Sequence, residues 1–138
     1  MARVRIPKDT PTFTYRNENP DGIHTSDCVV RAIAAANGMT WEEVFDGLAE
    51  VARELHTMPN DRTAYEKYLK SLGWVRRKQM KHADGTKYSG SEFARAMGDR
   101  NIICHIGVHH LTCIIGGRVN DIWDCSSRKV GIWWERKG

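Results

Sequence analysis

The 138-residue chain lacks any apolar run long enough to cross a bilayer, and its first nine residues, Met1 to Asp9, contain no apolar h-region. The expectation is therefore a cytoplasmic protein with no membrane partner. No internal repeat or low-complexity tract appears, and the length suits one domain over 1–138 with a real core. Cysteine is sparse: Cys28, Cys104, Cys113 and Cys125 are the four, and without a secretory signal they read as reduced thiols. Paired ligand spacings of the C-x2-4-C or H-x3-5-H kind are missing from the Cys/His-rich tail, where only His109 or His110 with Cys113 has a suitable local separation, so no metal is expected. Strong charge bias is also lacking. Twenty-one basic against 17 acidic residues leave a net +4, an excess too mild to demand nucleic acid as the partner.

What is present is concentrated in two stretches. Thr25-Ser26-Asp27-Cys28 leads into the alanine-rich run Val29 to Ala36, with Asn37-Gly38 after it. Ser26 and Asp27 are N-cap residue types, alanine favours helix, and Gly38 is a stop, which puts Cys28 in the first helical turn. Free N–H groups and the positive end of the helix dipole favour thiolate there and can hold an oxyanion beside the sulfur. Val29, Ile33 and Ala36 form the buried stripe of this helix, while Cys28 lies in line with Arg31, Ala32 and Ala35.

The second stretch runs from Gly107 to Asp124. Two strand-like runs flank Gly116-Gly117, which reads as a β-hairpin with histidine at the head of one strand and a carboxylate on the next. Adjacent strand residues point to opposite faces, so only one of His109 and His110 can meet Cys28.

Helix-borne cysteine, strand-borne histidine and then an acid, in that order, resemble the papain-like cysteine peptidase superfamily, most closely its small bacterial and phage-encoded members. The resemblance rests on Asp27-Cys28, His110-Leu111-Thr112 and Asp121-Ile122-Trp123-Asp124. It implies Cys28 as nucleophile, His110 as base, no cofactor, and a peptide or protein substrate. It also implies a side-chain amide upstream of the cysteine for the oxyanion. Gly22 occupies the usual position six residues upstream, which leaves Asn19, Asn17 and His24 as candidates beside the Cys28 N–H, with Asn19 preferred.

The third member depends on the turn. A three-residue turn, Gly116-Gly117-Arg118, puts Asp124 across from His110; a two-residue turn puts Trp123 there and Asp121 diagonally on the same face. Asp124 is preferred because its interval from His110 is nearer the family's, and Asp121 is held in reserve. Trp123, two residues after Asp121, resembles the family's shielding tryptophan.

Elsewhere, Arg3 to Ile6 reads as a weak edge strand. Thr40-Trp41-Glu42-Glu43 is a capping box opening a helix to about Leu55, and Met58 to Asp61 begins a third helix stopped by Gly73. Trp74 to Met80 reads as an extended basic segment, and a short helix, Glu92 to Met97, is capped by Ser89 or Ser91. Strands follow at Ile102–Ile106, His110–Ile115, Val119–Asp124 and Val130–Trp134. The fold class is α+β, with N-terminal helices against a C-terminal antiparallel sheet and the reacting groups where the halves meet. The function expected is a papain-like cysteine peptidase or related amide hydrolase. The alternative is a non-catalytic basic module for nucleic acid or protein, using Arg76-Arg77-Lys78, Lys81 and Lys87.

Overall fold

A computed structural model describes residues 5–136. Ten elements are present among them: β1 (Phe13–Tyr15), α1 (Cys28–Asn37), α2 (Trp41–Leu55), α3 (Arg62–Ser71), β2 (Trp74–Arg77), α4 (Gly90–Met97), β3 (Ile102–Ile106), β4 (His110–Ile115), β5 (Arg118–Asp121) and β6 (Val130–Arg136). The class is α+β, as expected, with most helix preceding most strand. The sheet is mixed rather than antiparallel: its order is β1-β5-β4-β3-β6-β2, and β1 joins the edge parallel to β5 through Phe13↔Val119 and Tyr15↔Asp121. Phe13 is fully buried and anchors that edge. The weak strand expected over Arg3 to Ile6 lies partly outside the described residues, and Arg5 and Ile6 are irregular.

The sheet carries helices on both faces. Alternation along each strand sends Ile103, Leu111, Cys113 and Trp134 to a core shared with Ile33, Val44, Leu48 and Leu69 of α1, α2 and α3. The intervening residues Ile102, Cys104, Ile106, Ile114 and Trp133 go to a second core with Phe93 and Met97 of α4. Burying an aliphatic side chain fully contributes about 1.5–3 kcal/mol, and the two cores between them bury nearly every large aliphatic of β3 and β4.

Local chemistry accounts for the element ends. Thr40 with Glu43, and Ser89 with Glu92, form reciprocal capping boxes at α2 and α4. Gly38 ends α1 in the left-handed region, its N–H reaching back to Ala34 and Ala35 carbonyls. Gly116 and Gly117 have φ of 61° and 75°, the pair of positive angles a type I′ two-residue turn requires. Ile115 therefore pairs with Arg118, Ile114 with Val119 and Cys113 with Asn120. That register sets which acid shares a face with His110.

Candidate active site

Cys28 opens α1, and His110 opens β4, the strand against which α1 packs most extensively. Asp27 stands at the N-cap position of α1 but its side chain makes no capping bond, so the first-turn N–H groups beside Cys28 are left open. Cys28 is partly exposed, whereas Cys104, Cys113 and Cys125 are buried, and all four are free thiols.

The three groups of interest form a chain. His110 Nε2 lies 2.6 Å from Asp121 Oδ2. With Nε2 engaged by the carboxylate, Nδ1 is the nitrogen left to exchange a proton with the thiol. Burial by itself raises the Cys28 thiol, but the His110 ring, the Leu111 backbone and the Arg31 charge stand near enough to reverse this, and the net shift is downward. Burial likewise opposes the charged imidazole of His110, yet Asp121, Cys125 and Cys28 raise it well above the ordinary imidazole value. Asp121 is held below the usual carboxylate range against burial, by His110 first and then by Thr112 and Arg31. Each shift favours a thiolate and imidazolium pair beside an ionised aspartate.

Asp121, the reserve candidate, is the acid beside His110. Its Oδ2 accepts from Thr112 Oγ1 at 2.6 Å as well as from His110, and its Oδ1 accepts from Arg31 Nη1 at 2.9 Å and the Ile122 N–H at 2.7 Å. Asp124, the preferred candidate, is exposed and turned away: its Oδ1 accepts from the backbone N–H and hydroxyl of Ser126, closing a local turn. The correction follows from the hairpin. The two-residue turn places Asp121 diagonal to His110, and β5 ends at Asp121, so no ladder carries Asp124 back across.

Asn19 is a second correction. Its amide donates to Asp27 Oδ2 at 3.1 Å and its side chain is buried, so it is committed to Asp27 and not to an oxyanion. Asn17 donates to the Ile23 carbonyl, and His24 bonds the Tyr15 hydroxyl. The donors left open beside the sulfur are the first-turn N–H groups of α1. Trp123 sits over the imidazole, with ring centroids 5.1 Å apart and the rings tilted by 56°, and it remains 40% exposed on its outer side. His109 is exposed at the rim.

These groups face a cleft of about 790 Å³ between the start of α1, the start of α3 and the β3–β4 turn, lined by Thr25, Ser26, Tyr65, His105, Val108 and Trp123 among others. Tyr65 and His105 form a pair on its wall, hydroxyl to Nε2 2.7 Å. A smaller hollow of about 300 Å³ adjoins it through Thr25, Ser26, Val29 and Asn60, and has Trp41, Phe45 and Met58 as its apolar surface.

His110, Asp121 and Cys125 also bring ligand-type atoms within 4.8 Å of one another. The set does not fit a metal. The Arg31 guanidinium already stands 2.9 Å from the same carboxylate, where a second cation would be repelled, and burial pushes the Cys125 thiol up, away from the thiolate a metal needs. Cys125 instead approaches Asp121 Oδ2, at 3.7 Å.

Arg31, Thr112 and the Tyr65–His105 pair are site residues that sequence reasoning did not single out. A faint signal existed for Arg31 alone, four residues after Asp27 and on the Cys28 stripe of α1. Compared with protein-family models, curated proteins and solved structures, the chain finds no match in any of the three.

Proposed function

We propose that the protein is a papain-like thiol hydrolase that cleaves amide bonds in a peptide or protein by acyl transfer. The observation that carries this reading is the juxtaposition of Cys28, at an uncapped helix start, and His110 on the wall of one open cleft, with the imidazole bonded behind to the buried Asp121.

In the first half-reaction the Cys28 thiolate attacks the carbonyl carbon, and the electron pair moves onto the carbonyl oxygen, facing the open N–H groups of α1. As that intermediate collapses, the C–N bond breaks and the leaving amine takes the proton held on His110. In the second, neutral His110 accepts a proton from water as the water oxygen attacks the thioester, and the thiolate leaves with the imidazolium restored. Asp121 keeps the ring in one orientation and stabilises its charged form. No cofactor enters. The apolar hollow beside the cleft suits side chains flanking the scissile bond, which is why a peptide is preferred over a small amide.

The binding-module alternative has less support from the charged surface. Arg76 and Arg77 of the basic segment pair with Glu66 and Glu135 at 3.3 and 2.8 Å, which lowers the charge they offer to phosphates. Among the described residues no helix is long and apolar enough to cross a membrane.

Iodoacetamide labelling tests the proposal. Since the other three cysteines are buried, the informative reference is a small free thiol at about pH 6, where an ordinary cysteine is almost wholly protonated. Cys28 should react at least about tenfold faster than that reference, and His110→Ala should remove the advantage. A Cys28 rate equal to the free thiol would sink the hydrolase reading and leave the binding module.

A further inference from the structure

Building on the hydrolase reading, we infer that Arg31 is a positioning residue for the reaction: a buried cation that joins the helix bearing Cys28 to the carboxylate that orients His110. Its side chain is 6% exposed, and the guanidinium spans two acids through separate nitrogens. Nε donates to Asp27 Oδ1 at 2.6 Å, and Nη1 donates to Asp121 Oδ1 at 2.9 Å. Each acid then uses its second oxygen locally. Asp27 Oδ2 accepts from Asn19 and from Trp41 Nε1, and Asp121 Oδ2 accepts from Thr112 and His110.

This division of oxygens fixes the geometry of the site. With Oδ1 held by Arg31 and the Ile122 N–H, the Asp121 carboxylate cannot turn, and Oδ2 stays aimed at the imidazole. The other end of the bridge binds Asp27, the residue immediately before Cys28, so the helix start and the end of β5 are held at one separation. A planar guanidinium can span both acids in this way, whereas an ammonium is a single point of charge. Buried ion pairs are weak sources of net stability, because desolvation offsets the attraction, so folding stability alone is a poor reason for an arginine here.

Arg31 also acts on protonation. It helps keep Asp121 ionised, so that the proton remains on His110, and it adds a positive charge near the thiolate. The other titratable and charged groups around the pair are Asp27 before α1, Asp61, Arg62 and Tyr65 at the start of α3, and His105 of β3. His109 stands at the rim of the same cleft, and Asp121 and Cys125 lie beside the imidazole. Two permanent cations stand among these groups: Arg62, whose Nε is held by Glu66 at 2.9 Å, and Arg31, which bonds Asp121 directly. The Nε and Nη1 of Arg31 are engaged by the two acids, so the role assigned to it is exerted through them.

The test is the pH dependence of Cys28 alkylation by iodoacetamide, resolved by peptide mass spectrometry from about pH 4 to about pH 9, with thermal melting measured alongside. Arg31→Gln is expected to slow alkylation about tenfold at pH 6 and to converge on the wild type at pH 9, where the thiol ionises regardless. Arg31→Lys keeps the charge but not the two-armed bridge, and is expected to lose about threefold at pH 6 and nothing at pH 9. Should Arg31→Gln fail to fold, the lysine variant carries the test. A folded Arg31→Gln, or failing that an Arg31→Lys, whose profile overlays the wild type would overturn the inference whatever its melting temperature, because a purely structural arginine moves stability and not the profile. A wild-type Cys28 no faster than a free thiol at pH 6 would instead remove the hydrolase reading beneath it.

Discussion

Two aspartates three residues apart have opposite surroundings, and the difference decides what each can do. Asp121 is 1% exposed and accepts from a histidine, a threonine, an arginine and a backbone N–H; Asp124 is exposed and accepts within its own turn. Asp121→Asn puts an amide where these four donors and the Cys125 thiol converge, so one donor must face an N–H or the imidazole must turn. Turnover of any peptide substrate should fall about a hundredfold or more, as expected when a histidine loses its orienting acid. Asp124→Asn should change the same rate by less than about threefold, since surface substitutions rarely reach the site. Steady-state kinetics of the two variants side by side would check this, and a large loss confined to Asp124→Asn would reverse the assignment. The residue types at Cys28 and His110 were legible because cap chemistry and strand alternation are local signals. The acid was not, because the choice turned on whether Gly116-Gly117 or Gly116-Gly117-Arg118 makes the turn, and both read alike until the cross-strand register is seen.

Among the elements, α4 has a role that its sequence hides. Its first residue, Gly90, bonds the Arg128 carbonyl, and Ser91 bonds the Ser126 carbonyl, so the helix start clamps the segment that follows β5 and contains Ile122, Trp123 and Cys125. A Cβ on Gly90 would come within 2.8 Å of Ile106 Cδ1 and 2.9 Å of the Ser126 Cα. The Ser126 contact is backbone and cannot rotate aside. Gly90→Ala should therefore lower stability by about 1–3 kcal/mol despite alanine's better helix propensity, and urea unfolding would measure it. The glycine reads in sequence as a poor helix start; what demands it is a close approach from a loop 36 residues later. The capping box at Thr40 was readable beforehand because both partners lie within four residues, whereas Ser89 and Ser91 stayed alternatives for the cap of α4 until the Ser89–Glu92 box was seen. The parallel edge strand β1 was not, since three residues of Phe-Thr-Tyr carry no period and their pairing partner lies more than a hundred positions on.

For the whole molecule, the linked ionisations predict how stability varies with pH. Asp121 is depressed in the folded state, so its contribution is present above the unfolded carboxylate value of about 3.9 and is lost as pH falls through the lower folded value. His110 is raised, so its contribution is complete below about 6.5 and is lost as pH climbs toward the folded value. Cys28 is lowered, so its contribution has the opposite slope and grows with pH between its folded and unfolded values. The last two offset each other from neutral into alkaline conditions, leaving the acid side as the visible limb. Urea midpoints measured from about pH 3 to about pH 9 should drop below about pH 4 in the wild type and drop less in Asp121→Asn; an identical acid limb in both would refute the linkage.

What the chain alone determined was the order and setting of the pieces: a cysteine at a helix start, a histidine at a strand head, and helices before a sheet. Each of these follows from caps, glycine stops and alternation, forces that act between residues a few positions apart. The tertiary structure decided the rest, namely which aspartate meets His110, that Asn19 is spent on Asp27, and that Arg31 bridges the two halves. Those outcomes are contacts between groups as many as 90 positions apart, and a buried charge takes the partner that packing brings within about 3 Å, which neighbouring residues in the chain do not encode.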